Sequence, residues 1–309
     1  MSYSDLTDYL ALPRTSGLAL SADGTRLVTS VATLDPKGTA YVTALWEVDP
    51  TGQAPARRLT RSRKGESGPV FAPDGSVLFV SVRPDPETTD SDDDLPSALW
   101  VLPPVGEARV AGTRPGGLSA VTVARDAPTV LALSDTLPGS GDGESDEQRR
   151  TARKDAKVTA VLHGGYPVRY WDRDLGVGQN RLLAGDLAPD GTITWRDLTP
   201  EPGRALHEAS IDVTRDGRTA VTSWLVAEPR GSRRTALVAV TPRRGSAARS
   251  STTAAARSPL RASAPTAPAS PPSGRRGPRR PTRTTCDWSS CRWTARTTRS
   301  RSRPVGTAG

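Results

Sequence analysis

A turn that returns about every fifty residues constrains this chain more than any other feature of it. Ser67-Gly-Pro-Val-Phe-Ala-Pro-Asp-Gly-Ser-Val-Leu-Phe-Val-Ser-Val82 reads as two apolar runs joined by Pro73-Asp74-Gly75-Ser76. Proline sets φ at the first corner, aspartate hydrogen-bonds the backbone ahead of it, and glycine takes the positive φ of the reversal. That is a β-hairpin. Ala98-Leu-Trp-Val-Leu102 follows as a third strand. The same order appears upstream: Ser16 to Thr29 holds a hairpin turning at Asp23-Gly24, then come Ala44-Leu-Trp-Glu-Val48 and Arg57-Arg-Leu-Thr60. The Asp-Gly step is 51 residues and the Leu-Trp step 54. Ser210 to Thr222 turns at Asp216-Gly217, with Ala236-Leu-Val-Ala-Val240 as its third strand. Leu118 to Ser134 is a worn copy, with Arg125-Asp126-Ala127 in place of Asp-Gly-Thr.

A period near fifty with three or four short strands per unit predicts an all-β fold, a β-propeller built from blades of four-stranded antiparallel sheet. A β-sandwich made of unrelated hairpins gives no reason for Leu-Trp to recur at matching offsets. Residues 1–14 read as a lead-in with one helical turn, and 15–242 as the propeller with about five recognisable blades. Leu137 to Asp155 is a polar insert, Gly-rich at first and helix-forming from Glu144. Val158-Thr-Ala-Val-Leu162 reads as a strand. Tyr166, Tyr170 and Trp171, the densest aromatic cluster, read as blade core in preference to a ligand platform. Asn180 to Asp186 and Thr194 to Thr199 give two further strands around a Pro189-Asp190-Gly191 turn, completing one blade and starting another.

The pattern stops at Thr241. Residues 243–309 hold 15 Arg, no Lys and one acidic residue, Asp287, for a charge of +14. The whole chain carries +9, so the remainder, with 27 basic and 32 acidic residues, is −5. The high isoelectric point therefore belongs to the tail, and the charge balance of the folded part argues against nucleic acid as its partner. A segment of Arg, Ala, Ser, Thr and Pro buries too little surface to offset ordering entropy and is expected to be disordered. It reads as a basic phosphate-binding tail, as a solvated linker, or as a gene translated in the wrong register. The last is preferred, because period, turn chemistry and acidic counterparts all vanish at one junction.

Chemistry is sparse. Both cysteines, Cys286 and Cys291, fall in the tail; their four-residue spacing, with no second pair nearby, is a poor zinc pattern, and no disulfide framework is expected. Pro84 to Pro96 carries six acidic residues without the ligand order and central glycine of a calcium loop. Leu162-His-Gly-Gly-Tyr-Pro167 superficially matches a His-Gly-Gly oxyanion loop, and Gly65-Glu-Ser-Gly-Pro69 is one residue from a nucleophile elbow, but neither has the strand-to-helix setting that chemistry requires. His207 reads as a strand-edge residue before a general base. No catalytic, cofactor-binding or metal-ligating residue is assigned, and no cofactor is expected. The N-terminus lacks a signal peptide's basic and apolar regions, and no apolar run reaches membrane-span length, so a soluble cytoplasmic location is expected.

Ser16 to Arg61, Glu66 to Pro103, Arg153-Lys-Asp-Ala-Lys-Val-Thr-Ala-Val-Leu162 and Tyr166-Pro-Val-Arg-Tyr-Trp-Asp-Arg-Asp-Leu175 resemble the N-terminal propeller of the prolyl oligopeptidase family of serine peptidases. The closest type is the actinobacterial acylaminoacyl-peptidase and dipeptidyl-aminopeptidase-like enzymes. The resemblance covers roughly residues 5 to 242. The Asp-Gly hairpins are shared with TolB-type propellers in general; the Arg-Lys-Asp-Ala to Tyr-Trp-Asp stretch narrows it. The resemblance implies a propeller that covers the mouth of a C-terminal α/β-hydrolase domain and admits short peptides, with Ser, Asp and His supplied by that domain. No position here matches the hydrolase motif, so it implies a truncated peptidase propeller, inactive alone, whose peptide partners are reached through the missing domain. The alternative is a stand-alone propeller scaffold that binds a protein or peptide, its basic tail recruiting an acidic partner. An unpaired sheet edge is expected to lower solubility or capture a partner.

Overall fold

The computed structural model describes residues 5–85 and 95–242. The basic tail with its two cysteines, and most of the acidic insert between Pro84 and Pro96, lie outside the described residues. Asp5 caps a one-and-a-half-turn helix, α1 (Leu6–Ala11), by accepting from the Thr7 N–H at 2.8 Å. Among the described residues no helix is long and apolar enough to cross a membrane.

Four antiparallel sheets follow. The first has the order β1 (Arg14–Leu20), β2 (Leu27–Leu34), β3 (Tyr41–Val48), β4 (Arg57–Arg58), and the second β5 (Glu66–Phe71), β6 (Val77–Ser81), β7 (Ala98–Leu102), β8 (Arg109–Gly112). The third contains β9 (Ser119–Val123) and β10 (Thr129–Thr136), then β13 (Gln179–Asp186) and β14 (Arg196–Asp197). Between its second and third strands the chain forms α2 (Gly143–Asp155) and a small hairpin, β11 (Arg169–Tyr170) with β12 (Arg173–Asp174). The fourth sheet is β15 (Ile211–Val213), β16 (Ala220–Ala227), β17 (Arg233–Val240).

Each sheet is a simple meander, which is blade topology, and the fold is a β-propeller. The described residues give four blades where the sequence gives about five. The two strands around Pro189-Asp190-Gly191 complete the third blade and start no other, because β10 pairs along its whole length with β13 across the insert. Val158 to Leu162, expected as a strand, joins no ladder; its apolar residues find no sheet to pair with in the insert, and Leu162 faces solvent.

The first turns form as their chemistry demands. Ser21 N–H donates to the Arg26 carbonyl at 2.9 Å, Gly24 takes φ 76°, and Asp23 accepts from the Thr25 N–H at 3.1 Å. The Ser21 hydroxyl, with Thr25, holds the Asp23 carboxyl down at about 2. Two blades close their fourth strand with an identical clamp. Leu59 N–H donates to the Leu45 carbonyl at 2.8 Å while Leu45 N–H donates to Thr60 Oγ1 at 2.9 Å. Leu198 and Thr199 hold Leu182 in the same way, both at 2.8 Å.

The core lies between blades. Val28 and Leu45 of the first pack on Val77, Phe79 and Trp100 of the second. Leu78, Leu99 and Val101 pack on Val130, Ala132 and Leu183 of the third, and Leu131, Leu133 and Leu182 on Leu206 of the link that follows and Ala220 of the fourth. The insert helix is anchored by charge. Asp146, fully buried, accepts from Leu137 N–H at 2.7 Å and from Arg150 Nε at 2.9 Å. Buried Arg181 joins Asp197 at 2.9 Å and the Ser140 carbonyl at 2.7 Å.

Candidate functional site

Meander topology sorts the connections onto two ends of the blades. One end carries the tight first and third turns, and these touch each other: Arg26 Nη1 reaches the Gly75 carbonyl at 2.8 Å, and Arg125 Nη2 the Ala22 carbonyl at 2.6 Å. The other end carries the end of β6 and the start of β7, the insert from 137 to 178, and the links between blades. Two cavities open at this loop end.

The first cavity, about 280 Å³, lies between the first two blades and is lined by Tyr41, Thr43, Glu66, Ser67, Ser81 and Ser97 among others. Glu66 opens β5, where Gly65 at φ 85° turns the chain into the strand. Its carboxylate accepts from Ser62 N–H at 2.9 Å and lies 3.6 Å from Arg83, whose guanidinium sits 3.8 Å above the Trp100 ring. Burial pushes Glu66 up, against the pull of those donors, and pushes Arg83 down. The Gly65 to Pro69 stretch thus starts an innermost strand, and no histidine approaches Ser67.

The second cavity, about 310 Å³, is bounded by Tyr170 of the insert hairpin, Ala205, Glu208 and Ala209 of the link between blades, and Ser223, Leu225, Arg233 and Thr235 of the fourth blade. Tyr170 stacks on His207, centroids 5.0 Å apart at 23°, and the Arg233 guanidinium lies 5.8 Å from the Tyr170 ring. Burial pushes the Tyr170 hydroxyl up and the His207 imidazole down, Arg204 adding to the latter. His207 is no strand-edge residue: it sits in a run of turns before β15. His163 lies in irregular chain, and its Nδ1 is buried without a hydrogen bond.

The aromatic cluster is not blade core. Trp171 is 99% exposed and Tyr166 about half exposed, and Leu162 of the same insert faces solvent as well. Only Tyr170 packs, on His207. Local sequence favours burial of such a cluster, but a two-residue hairpin on top of the blades has no second layer to bury it. Among the described residues no histidine hydrogen-bonds a serine or threonine hydroxyl, and no group of three or more His, Cys, Asp or Glu converges as metal ligands would. The arrangement provides two polar, partly enclosed clefts and, among the described residues, no hydrogen-bonded nucleophile–base pair.

The sequence matches no protein-family model and no curated protein. Among solved structures, an acylaminoacyl peptidase of Pyrococcus horikoshii is similar over 78% of this chain and 32% of its own, at 10% identity and a TM-score of 0.50. The β-propeller domain of the Trilobed protease of Pyrococcus furiosus matches 74% of this chain and 54% of its own, at 12% identity and 0.43. Prolyl oligopeptidase B of Galerina marginata matches 76% and 28%, at 12% and 0.43. The chain spans about a third of the length of the Pyrococcus horikoshii enzyme. What it shares with the Pyrococcus horikoshii enzyme is the fold, and the chain is a β-propeller with two cavities and a long insert at one end of its blades.

Proposed function

We propose that this chain is the substrate-gating propeller of a serine peptidase of the prolyl oligopeptidase family, acting on short acylated or free-amino peptides and inactive without a hydrolase domain. The observation that carries the reading is the insert. In Arg153 to Leu162 and Tyr166 to Leu175, the stretches that resemble the family, Tyr170 lines the 310 Å³ cavity at the loop end and Leu162, Tyr166 and Trp171 are exposed. A hydrolase domain seated on that end receives only peptides that pass the clefts. The propeller fold shared with an acylaminoacyl peptidase supports the same reading, and a cytoplasmic location goes with it. The exposure of Leu162, Tyr166 and Trp171 also favours a second reading, a stand-alone scaffold that binds a protein through them.

Chromogenic acylaminoacyl and dipeptidyl substrates test the first reading. The 309-residue chain is expected to turn over neither, and the chain joined to its hydrolase domain to cleave short peptides but not unfolded proteins. Turnover by the chain alone, or equal cleavage of long and short substrates by the joined form, contradicts it.

A further inference from the structure

Four leucines occupy one position in four blades. Leu45 pairs with Ser30, Leu99 with Val80, Leu182 with Leu133 and Leu237 with Ser223, each in the third strand opposite the same step of the second. Three are wholly buried, because each side chain enters the interface with the following blade. Leu237 is 67% exposed.

The opposite half of that interface is open as well. Trp100 and Val77, which receive Leu45, are buried. Their counterparts on the first blade, Trp46 and Leu27, are only partly buried, and Leu18 and Leu20 beside them are 71% and 57% exposed. Among the described residues the chain therefore presents both complementary faces of a blade–blade interface, unjoined, at its two end blades.

We propose that a second copy of this chain fills them, the fourth blade of one copy packing head-to-tail on the first blade of the other. A second copy is the occupant that carries the matching face: Leu18, Leu20, Leu27 and Trp46 stand where Leu45, Leu99 and Leu182 find their partners. Residues 243–309 offer only Leu260, Trp288, Trp293 and Val305 as large apolar side chains, too few for such a face. The contact joins two different surfaces, so two copies either close on each other through both contacts or add further copies in line.

Sedimentation velocity on the full chain from about 1 to about 100 µM tests it. The chain is expected to sediment above single-chain mass as concentration rises. Leu237→Asp and the double change Leu18→Asp with Leu20→Asp, each alone, are expected to sediment as single chains with unchanged far-UV circular dichroism. An equimolar mixture of the two variants keeps one intact contact and is expected to give a two-chain species. Single-chain mass for the unaltered protein throughout, or variants that associate as it does, overturns the proposal. Should either variant lose its circular dichroism, Leu237→Ser and Leu18→Ser replace them, with the mixture read in the same way.

Discussion

Arg215 and Asp126, in the first turns of neighbouring blades, hold each other three times. The guanidinium meets the carboxylate at 3.0 and 3.3 Å, and the Asp126 N–H donates to the Arg215 carbonyl at 2.7 Å. The turn at Asp126 lacks the Asp-Gly pair of its sister turns and has a contact between blades. Both side chains are more than half exposed, so Asp126→Ala is expected to lower stability by less than about 1 kcal/mol, and by less still in high salt. Urea denaturation at two ionic strengths reads this.

Asp146 is the opposite case. Its buried carboxylate serves the Leu137 N–H, the Ser140 hydroxyl and Arg150 together. Asp146→Ala leaves the buried Leu137 N–H without its acceptor, while the partly exposed Arg150 keeps Asp135 at 3.2 Å; it is expected to cost about 1–3 kcal/mol, measured by denaturation. Loss of helix signal from α2 accompanies it.

The Leu-Thr clamp predicts a smaller, specific cost. Thr199→Val keeps the shape but leaves the Leu182 N–H without its acceptor, and about 1–3 kcal/mol is expected to be lost. Thr60→Val repeats the effect in the first blade through Leu45. Hydrogen exchange at the two leucine amides, accelerated in each variant at its own site only, separates this from a general loosening.

The innermost strands carry a bulge at Gly17, at Gly68 and again near Ala120, where φ is 64°, 62° and 49°. Alanine takes a positive φ at a cost that glycine does not have. Ala120→Gly is expected to raise stability by about 0.5–1 kcal/mol, whereas Gly68→Ala lowers it; the midpoints of thermal unfolding read both.

These cases mark what the sequence could and could not tell. The hairpins at Asp23, Asp74 and Asp216 were legible because turn chemistry is local, and so was α2, which begins at an Asp142–Ser145 capping box. Pairing of β10 with β13 was not, since it joins residues separated by an entire insert and no local pattern records it. The outward face of Trp171 was illegible for a related reason: whether an aromatic cluster is buried depends on a second layer of structure that the cluster itself does not encode. The Tyr170–His207 stack had no signal beyond the presence of both rings.

His207 gives the pH dependence. Tyr170, Arg204, Glu208, Arg173 and Asp135 surround it, and burial, aided by Arg204, lowers its folded pKa below the ordinary 6.5. The unfolded chain then binds the proton more readily, so this contribution to stability is full above about pH 6.5 and is lost as pH falls toward the folded value. In His207→Gln the slope of stability between pH 7 and pH 5 is expected to flatten; an unchanged slope assigns it to other groups.

The central claim, that these blades are the gating part of a peptidase, is tested most directly by sequencing the coding DNA from the Thr241 codon onward and translating all three frames. The account predicts a frame that continues β17 into a fourth strand ending in a Leu-Thr clamp, then further blades, then Gly-x-Ser-x-Gly followed by Asp and His. If no frame holds such a continuation, the peptidase reading is contradicted, and the exposed Leu162, Tyr166 and Trp171 and the basic tail become the parts to test for binding.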